Sequence, residues 1–207
     1  MKKKLLFVLL GLLFNGNLFA EKKFNLPIVL IGPLSVGKST VAKELERKIS
    51  VRNVPLDAVS QYYYFKHGYS DNHFERLNDE LEKEKYMKTF DIKVIKDVLA
   101  DFPKDIIDFG AGHSHYEDQA SIKKAKQILS PFKNVILLLP SKDNRKSMEI
   151  LKRNMKKLLG EEPSKYAIDV GEKYLKSASN KELAKKIVYT ENRPPKEIAE
   201  EIVKILD

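Results

Sequence analysis

The chain has 207 residues, 43% of them hydrophobic, with 10 Phe, 9 Tyr and no Trp or Cys. That is the make-up of a globular domain with room for a full core; it excludes a disordered chain, a disulfide scaffold and a cysteine-held metal site. The formal net charge is +9, but lysine and glutamate are interspersed along stretches that read as solvated helix faces. No basic segment carries the interleaved aromatics that stack bases, so nucleic acid is not an expected partner.

The first 20 residues differ from the rest. Lys2, Lys3 and Lys4 precede an apolar run from Leu5 to Phe14, then Asn15-Gly16-Asn17 and Leu18-Phe19-Ala20. This is the layout of a secretory signal peptide, and the run is short of the roughly 20 apolar residues of a membrane span. The expectation is a presequence over 1–20 and one domain over 21–207, without a stable membrane span after cleavage. It would be exported to a periplasm or the exterior if cut and cytoplasmic otherwise. Three of the nine net positive charges lie in the presequence, leaving +6.

Ile28 to Ile31 is a buried-strand pattern, and Gly32-Pro33-Leu34-Ser35-Val36-Gly37-Lys38-Ser39-Thr40 follows it. The spacing G-x-x-x-x-G-K-S is the phosphate-binding loop. Its glycines allow a tight turn and close backbone approach, and successive N–H groups then cradle an anion. The helix start at Lys38 adds a positive dipole end. Lys38 is placed for the outer phosphates and Ser39 for Mg²⁺, which takes oxygen ligands. Val41, Ala42, Leu45 and Ile49 continue at helical spacing, as the motif requires.

Apolar runs at Val51–Leu56, Asp105–Phe109, Val135–Leu139 and Ile187–Tyr189 give four more strands, separated by helical stretches. The pattern predicts a three-layer α/β domain with parallel crossovers. Residues 71–100 read as one or two helices, and 143–176 as two helices broken at Gly160; these are either a substrate-binding region and a lid or simply extra surface helices. Asp57 follows the second strand, where a carboxylate can accept a hydroxyl proton, reach Mg²⁺ through water, or cap a helix. Asp108 ends the third strand, either as an acid for Mg²⁺ or as a buried support for the glycine turn. His113, His115, Glu117 and Asp118 give too few ligands at fixed spacing for a metal site. Tyr62, Tyr63, Tyr64 and Phe65 read as helix packing. The loop Thr190–Pro195, carrying Arg193, follows the last strand at the sheet edge where ligands bind, and reads either as a base-binding loop or as an ordinary strand-to-helix turn.

Taken together, residues 27–206 resemble the shikimate kinase family of small P-loop kinases. The resemblance rests on the phosphate loop, Asp57, the turn Gly110-Ala111-Gly112, and Val188-Tyr189-Thr190-Glu191 with the closing helix. Asp108-Phe109-Gly110-Ala111-Gly112-His113-Ser114 and Leu138-Leu139-Pro140-Ser141 look like a branch labelled shikimate kinase-like. The resemblance implies a parallel sheet in order 2-3-1-4-5, ATP, Mg²⁺ and phosphoryl transfer to a small hydroxylated acceptor. It further implies acceptor contacts at Asp57, at Gly110, Ala111, Gly112 and His113, and at Lys176, and a lid arginine at Arg153 with Arg145 behind it.

Three departures bear on the acceptor. Pro55 stands where the family has the first of two aspartates, Ala111 replaces a glycine, and Lys176 replaces an arginine that binds the shikimate carboxylate. Lysine lacks the bidentate fork that suits a carboxylate. The reading is an ATP-dependent kinase of a small metabolite other than shikimate, acting as a monomer. The alternatives are a nucleotide-binding module or slow NTPase without an acceptor, and a nucleotide or nucleotide-sugar kinase.

Overall fold

A computed structural model describes residues 24–207; the presequence expectation lies outside them. Among the described residues no helix is long and apolar enough to cross a membrane. Five parallel strands, β1 (Ile28–Ile31), β2 (Asn53–Pro55), β3 (Ile106–Asp108), β4 (Asn134–Leu139) and β5 (Lys186–Tyr189), form one sheet in the order β2-β3-β1-β4-β5. Every residue of β1, β3 and β4 is buried. Successive strand side chains point to opposite faces, so unbroken burial requires cover on both, and the domain has three layers.

The register places Leu30 beside Asp108 and Pro55 beside the same Asp108. The carboxyl ends of β2, β3 and β1 therefore finish level, on the edge where ligands bind in such sheets. Helix α1 (Lys38–Ile49) packs against α9 (Pro195–Ile205), which begins with a proline in its first turn. Proline is suited to that position because no helical partner awaits its missing N–H.

The second strand is shorter than expected. Pro55 has no N–H for the ladder, and its backbone (φ −66°, ψ 117°) starts α2 (Leu56–Lys66), so Asp57 lies in the first turn of a helix rather than at a strand end. Within α2, Tyr63 and Tyr64 are buried while Tyr62 and Phe65 are exposed. A 3.6-residue period turns only part of four consecutive rings toward α4 (Glu80–Asp101), against which α2 packs.

Residues 71–100 resolve into a short α3 (Asp71–Glu75) and the long α4, started by the caps Ser70 and Asp79. After α5 (Gln119–Leu129) and β4, helix α6 (Asn144–Leu159) ends at Gly160 in the left-handed region (φ 77°), as helix C-termini commonly do. It packs on α7 (Lys165–Leu175). Contact is tight at Gly171, where a Cβ would lie 2.5 Å from Met155 Cε. A further short helix, α8 (Ala178–Leu183), precedes β5.

Candidate active site

The phosphate loop leaves β1 at Gly32, whose φ is +143° and whose added Cβ would lie 2.4 Å from the Leu138 carbonyl oxygen. Only glycine tolerates both conditions. Gly37, at φ 101°, caps α1, and no acidic residue lies in that helix's first turn. The positive end of α1 therefore faces the loop without a competing carboxylate from its own first turn. Lys38 is buried and its Nζ donates to the carbonyls of Gly32 and Pro33, each at 3.0 Å. Burial holds its ammonium below the usual lysine value, and Asp108 and Asp57 act against that shift.

Asp108 is buried at the end of β3, and its Oδ1 has no hydrogen-bond partner. Burial pushes its carboxyl up; the Ser39 hydroxyl bonded to it and Lys38 pull it down, and Asp57 raises it further. A buried, unpartnered carboxylate oxygen next to a hydroxyl is an all-oxygen donor pair, which is the ligand chemistry that suits Mg²⁺. The expected pair Ser39 and Asp108 is thus brought together. Among the described residues no group of three or more His, Asp or Glu side chains could hold a metal ion by itself.

Asp57 reaches into the same space from α2, its side chain 74% exposed and its Oδ1 3.4 Å from His113 Nδ1. Beneath it is Gly110, whose backbone (φ −57°, ψ 147°) any residue could adopt. Its requirement is space: a Cβ there would sit 1.9 Å from Asp57 Oδ1. The next residues, Ala111–Ser114, form a 3₁₀ turn that carries His113 inward, so its ring lies behind Asp57 instead of lining the cleft. Gly112 faces Tyr174, with an added Cβ 3.4 Å from the tyrosine oxygen.

Lys38, Ser39 and Asp57 line a cleft of about 840 Å³ that runs from Asp57, Gly110 and Ala111 along the phosphate loop to the segment 190–195. Helix α6 forms part of its wall through Ile150, Arg153, Asn154, Lys157 and Leu158. Arg153 thus lines the cleft and Arg145 does not. Asn154 Nδ2 donates to the Ser35 carbonyl at 3.0 Å, tying α6 to the loop. Asn154 and Lys157 escaped the sequence reading, although 150, 153, 154, 157 and 158 fall on one helix face and the spacing alone groups them.

Arg193 lines the far end, where its guanidinium donates to the carbonyls of Tyr189 and Glu197 and pairs with Glu201, fixing the shape of the loop. Lys176 is not brought to the cleft. It follows α7 with its side chain 59% exposed and pairs with Glu172 at 2.5 Å. His115 also lies apart, with Nδ1 3.0 Å from Ser177 Oγ, beside a second cavity of about 180 Å³.

No protein-family model matches the chain, and no curated protein matches it in sequence. Solved structures do match. Shikimate kinase from Acinetobacter baumannii, in complex with shikimate, superposes with a TM-score of 0.56 at 18% identity, over 89% of this chain and 93% of that one. A gluconokinase from Sinorhizobium meliloti 1021 gives 0.56 at 16%, over 88% and 92%. Shikimate kinase from Bacteroides thetaiotaomicron gives 0.53 at 18%, over 86% and 93%. The sheet order and these superpositions agree: the chain has the P-loop kinase fold shared by shikimate kinase and gluconokinase.

Proposed function

We propose that the protein is an ATP- and Mg²⁺-dependent kinase that transfers the γ-phosphoryl group to a hydroxyl of a small metabolite, and that shikimate is not that metabolite. One observation carries the reading: a single cleft is lined by the phosphate loop with Lys38 and Ser39, by Arg153 and by the exposed carboxylate of Asp57, and the buried Asp108 lies next to Ser39 and Lys38. The loop and Lys38 bind the phosphates, Ser39 and Asp108 hold Mg²⁺, and Arg153 steadies the transferring group. Mg²⁺, when bound there, would supply charge neutralisation for the transferring phosphoryl group. Asp57 orients the acceptor hydroxyl and takes its proton. Catalysis is positioning plus charge stabilisation.

The fold neighbours are kinases of hydroxylated acids by their names, which supports the reaction class. The position of Lys176 supports the exclusion of shikimate, since the cation that would meet the acceptor carboxylate is paired elsewhere in solvent. The second reading, a nucleotide-binding module or slow NTPase, is favoured by Pro55, which leaves Asp57 without a companion acid on its own segment. Incubation of the protein with ATP, Mg²⁺ and pools of sugars, polyols and hydroxy acids decides between them. ADP release that depends on one added metabolite supports the kinase; release with ATP alone, unchanged by every pool, supports the module. Robust turnover of shikimate would overturn the exclusion.

A further inference from the structure

Behind Asp57 a line of polar side chains runs into the protein without lining the cleft. His113 Nε2 is 2.9 Å from the Tyr64 hydroxyl, which donates to Asp91 Oδ1 at 2.8 Å. Asp91 Oδ2 accepts from Lys88 Nζ at 2.8 Å, and Lys88 also donates to the Gly112 carbonyl. His113, Tyr64 and Asp91 are all buried. The line joins three segments, α2, the 3₁₀ turn and α4.

The hydrogen-bond inventory fixes the direction of each bond. A carboxylate gripped by an ammonium only accepts, and a tyrosine hydroxyl has one proton to give. Tyr64 gives it to Asp91, so the Tyr64 oxygen accepts from His113 and Nε2 carries the hydrogen. Burial holds the Tyr64 hydroxyl far above its ordinary value, with Asp91 adding, so that proton stays. Burial also pushes the His113 imidazole down, with Lys88 adding to it; Asp91, Asp57 and the Gly110 backbone oppose. In a neutral ring with hydrogen on Nε2, Nδ1 is a bare lone pair.

That atom is buried, has no hydrogen-bond partner, and faces Asp57 Oδ1 at 3.4 Å. Two acceptors oppose each other, and one proton between them satisfies both. The groups around the ring are Asp57 and Tyr64 from α2, Lys88 and Asp91 from α4, the backbone of Gly110 on the Nδ1 side, and Tyr116, whose hydroxyl donates to the His113 backbone carbonyl at 2.8 Å.

We infer that Asp57 and His113 form a proton-sharing pair: Asp57 takes the proton of the acceptor hydroxyl and His113 Nδ1 accepts it from Asp57, with Tyr64 and Asp91 holding the ring in the accepting tautomer. The inference rests on the kinase reading. The acceptor O–H bond breaks while its oxygen forms the new bond to the γ-phosphorus. The bond from that phosphorus to the bridging oxygen breaks, and its electron pair leaves on ADP. The proton passes to Asp57 and on to Nδ1, leaving an imidazolium between the Asp57 carboxylate and the Tyr64 oxygen. Asp57, exposed on its cleft side, returns the proton to solvent once product has gone. His113 touches no substrate; it is a positioning residue that acts through Asp57.

Nitrogen-15 spectra of the full chain labelled at its four histidines test the pairing without nucleotide, so they do not depend on the kinase reading. The expected His113 ring at pH 7 is neutral with hydrogen on Nε2. Tyr64→Phe removes the acceptor and releases the ring into mixed tautomers; Asp57→Asn, whose amide can donate, shifts the Nδ1 signal. A ring with hydrogen on Nδ1, or charged at pH 7, overturns the inference. Turnover is then read with MgATP and the metabolite pools, with water as the further acceptor. His113→Gln keeps a donor toward Tyr64 and deletes the acceptor facing Asp57. Its kcat should fall by about 10-fold to 100-fold with KM for ATP unchanged, the lower part of what general-base help contributes. An unchanged kcat overturns the inference. Should His113→Gln not fold, Tyr64→Phe carries the same kinetic test. A wild type that turns over no acceptor sinks the kinase reading, and the ring's tautomer still decides the pairing.

Discussion

Gly110→Ala tests the geometry of the acceptor end with the smallest possible change. The backbone at 110 is extended (φ −57°, ψ 147°), so alanine introduces no backbone strain. Its methyl carbon would lie 1.9 Å from Asp57 Oδ1, 2.7 Å from Asp57 Cγ and 2.7 Å from His113 Nδ1. The Asp57 carboxylate must retreat by at least about 1 Å before ordinary contact is restored. It has room to do so, because its side chain is 74% exposed. The Asp57 retreat costs little, the buried His113 ring held by Tyr64 must also give by a few tenths of an ångström, and Gly→Ala at a compatible backbone offsets this with about 0.4–1 kcal/mol through the unfolded chain. The melting temperature should therefore stay within about 2–4 °C of the wild type, the shift that 1 kcal/mol makes at this chain length. A misplacement of about 1 Å costs about 10²-fold in rate, so acceptor-dependent ADP release should fall by about that factor. Calorimetric MgATP affinity should not change, since the phosphate loop is untouched. Wild-type turnover in Gly110→Ala would refute the assignment of Asp57. A collapsed melting transition would show that the obstruction is not relieved by the side chain.

Lys38→Ala removes the ammonium that faces the outer phosphates; MgATP affinity should drop by about 1.5–3 kcal/mol, the worth of a hydrogen bond to a charged group. An unchanged binding isotherm with the fold intact would exclude the loop as the nucleotide site. Asp108 has a raised carboxyl, so the folded state holds its proton more tightly than the unfolded state. The ionised form costs stability above the ordinary carboxylate value, and that cost fades as pH falls through the raised folded value toward it. Asp108→Asn should consequently melt higher than the wild type at pH 7 without nucleotide, and bind MgATP more weakly; a lower melting temperature would refute this. His113 and His115 are both depressed from 6.5, burial being the largest cause. Below 6.5 the unfolded chain binds protons that the folded chain refuses, so stability is full above that pH and declines beneath it. Melting scans between pH 7.5 and 5 read the decline, and His113→Gln should flatten it.

Much of the nucleotide end is legible in the sequence because its physics is local. The glycines, Lys38 and Ser39 lie within one turn and one helix start, and the register of β1 with β3 brings Asp108 beside them. The acceptor end is less legible because its contacts are long-range. His113 reads as a ligand-facing residue from its place after the glycine turn. Only the inward 3₁₀ step and the arrival of Tyr64 and Asp91, 49 and 22 positions away, put the ring behind Asp57. Lys176 fails for a related reason. Its position before the last strand is right in order, but α8 intervenes and the side chain meets Glu172 on its own helix face. Asp57 moved by only one turn of chain, from strand end to helix start, and still reaches the cleft.

The charges at the nucleotide end explain why a fold would keep them. Lys38 is buried against its ionised state, and two carboxylates partly offset that. Asp108 is likewise buried with one oxygen unpartnered, and Lys38 only partly offsets its desolvation. Lys38 donates to two carbonyls of its own loop, and Asp108 Oδ1 has no hydrogen-bond partner. On the proposed reading, triphosphate oxygens would meet Lys38 and a Mg²⁺ ion Asp108, so bound MgATP would relieve both desolvated charges at once. Buried charges left short of partners destabilise a fold by several kcal/mol unless something compensates. Nucleotide binding would supply that compensation and so couple stability to ligand through mass action. The same coupling sets Asp108→Asn apart from an ordinary core change: it strengthens the empty protein and weakens the loaded one.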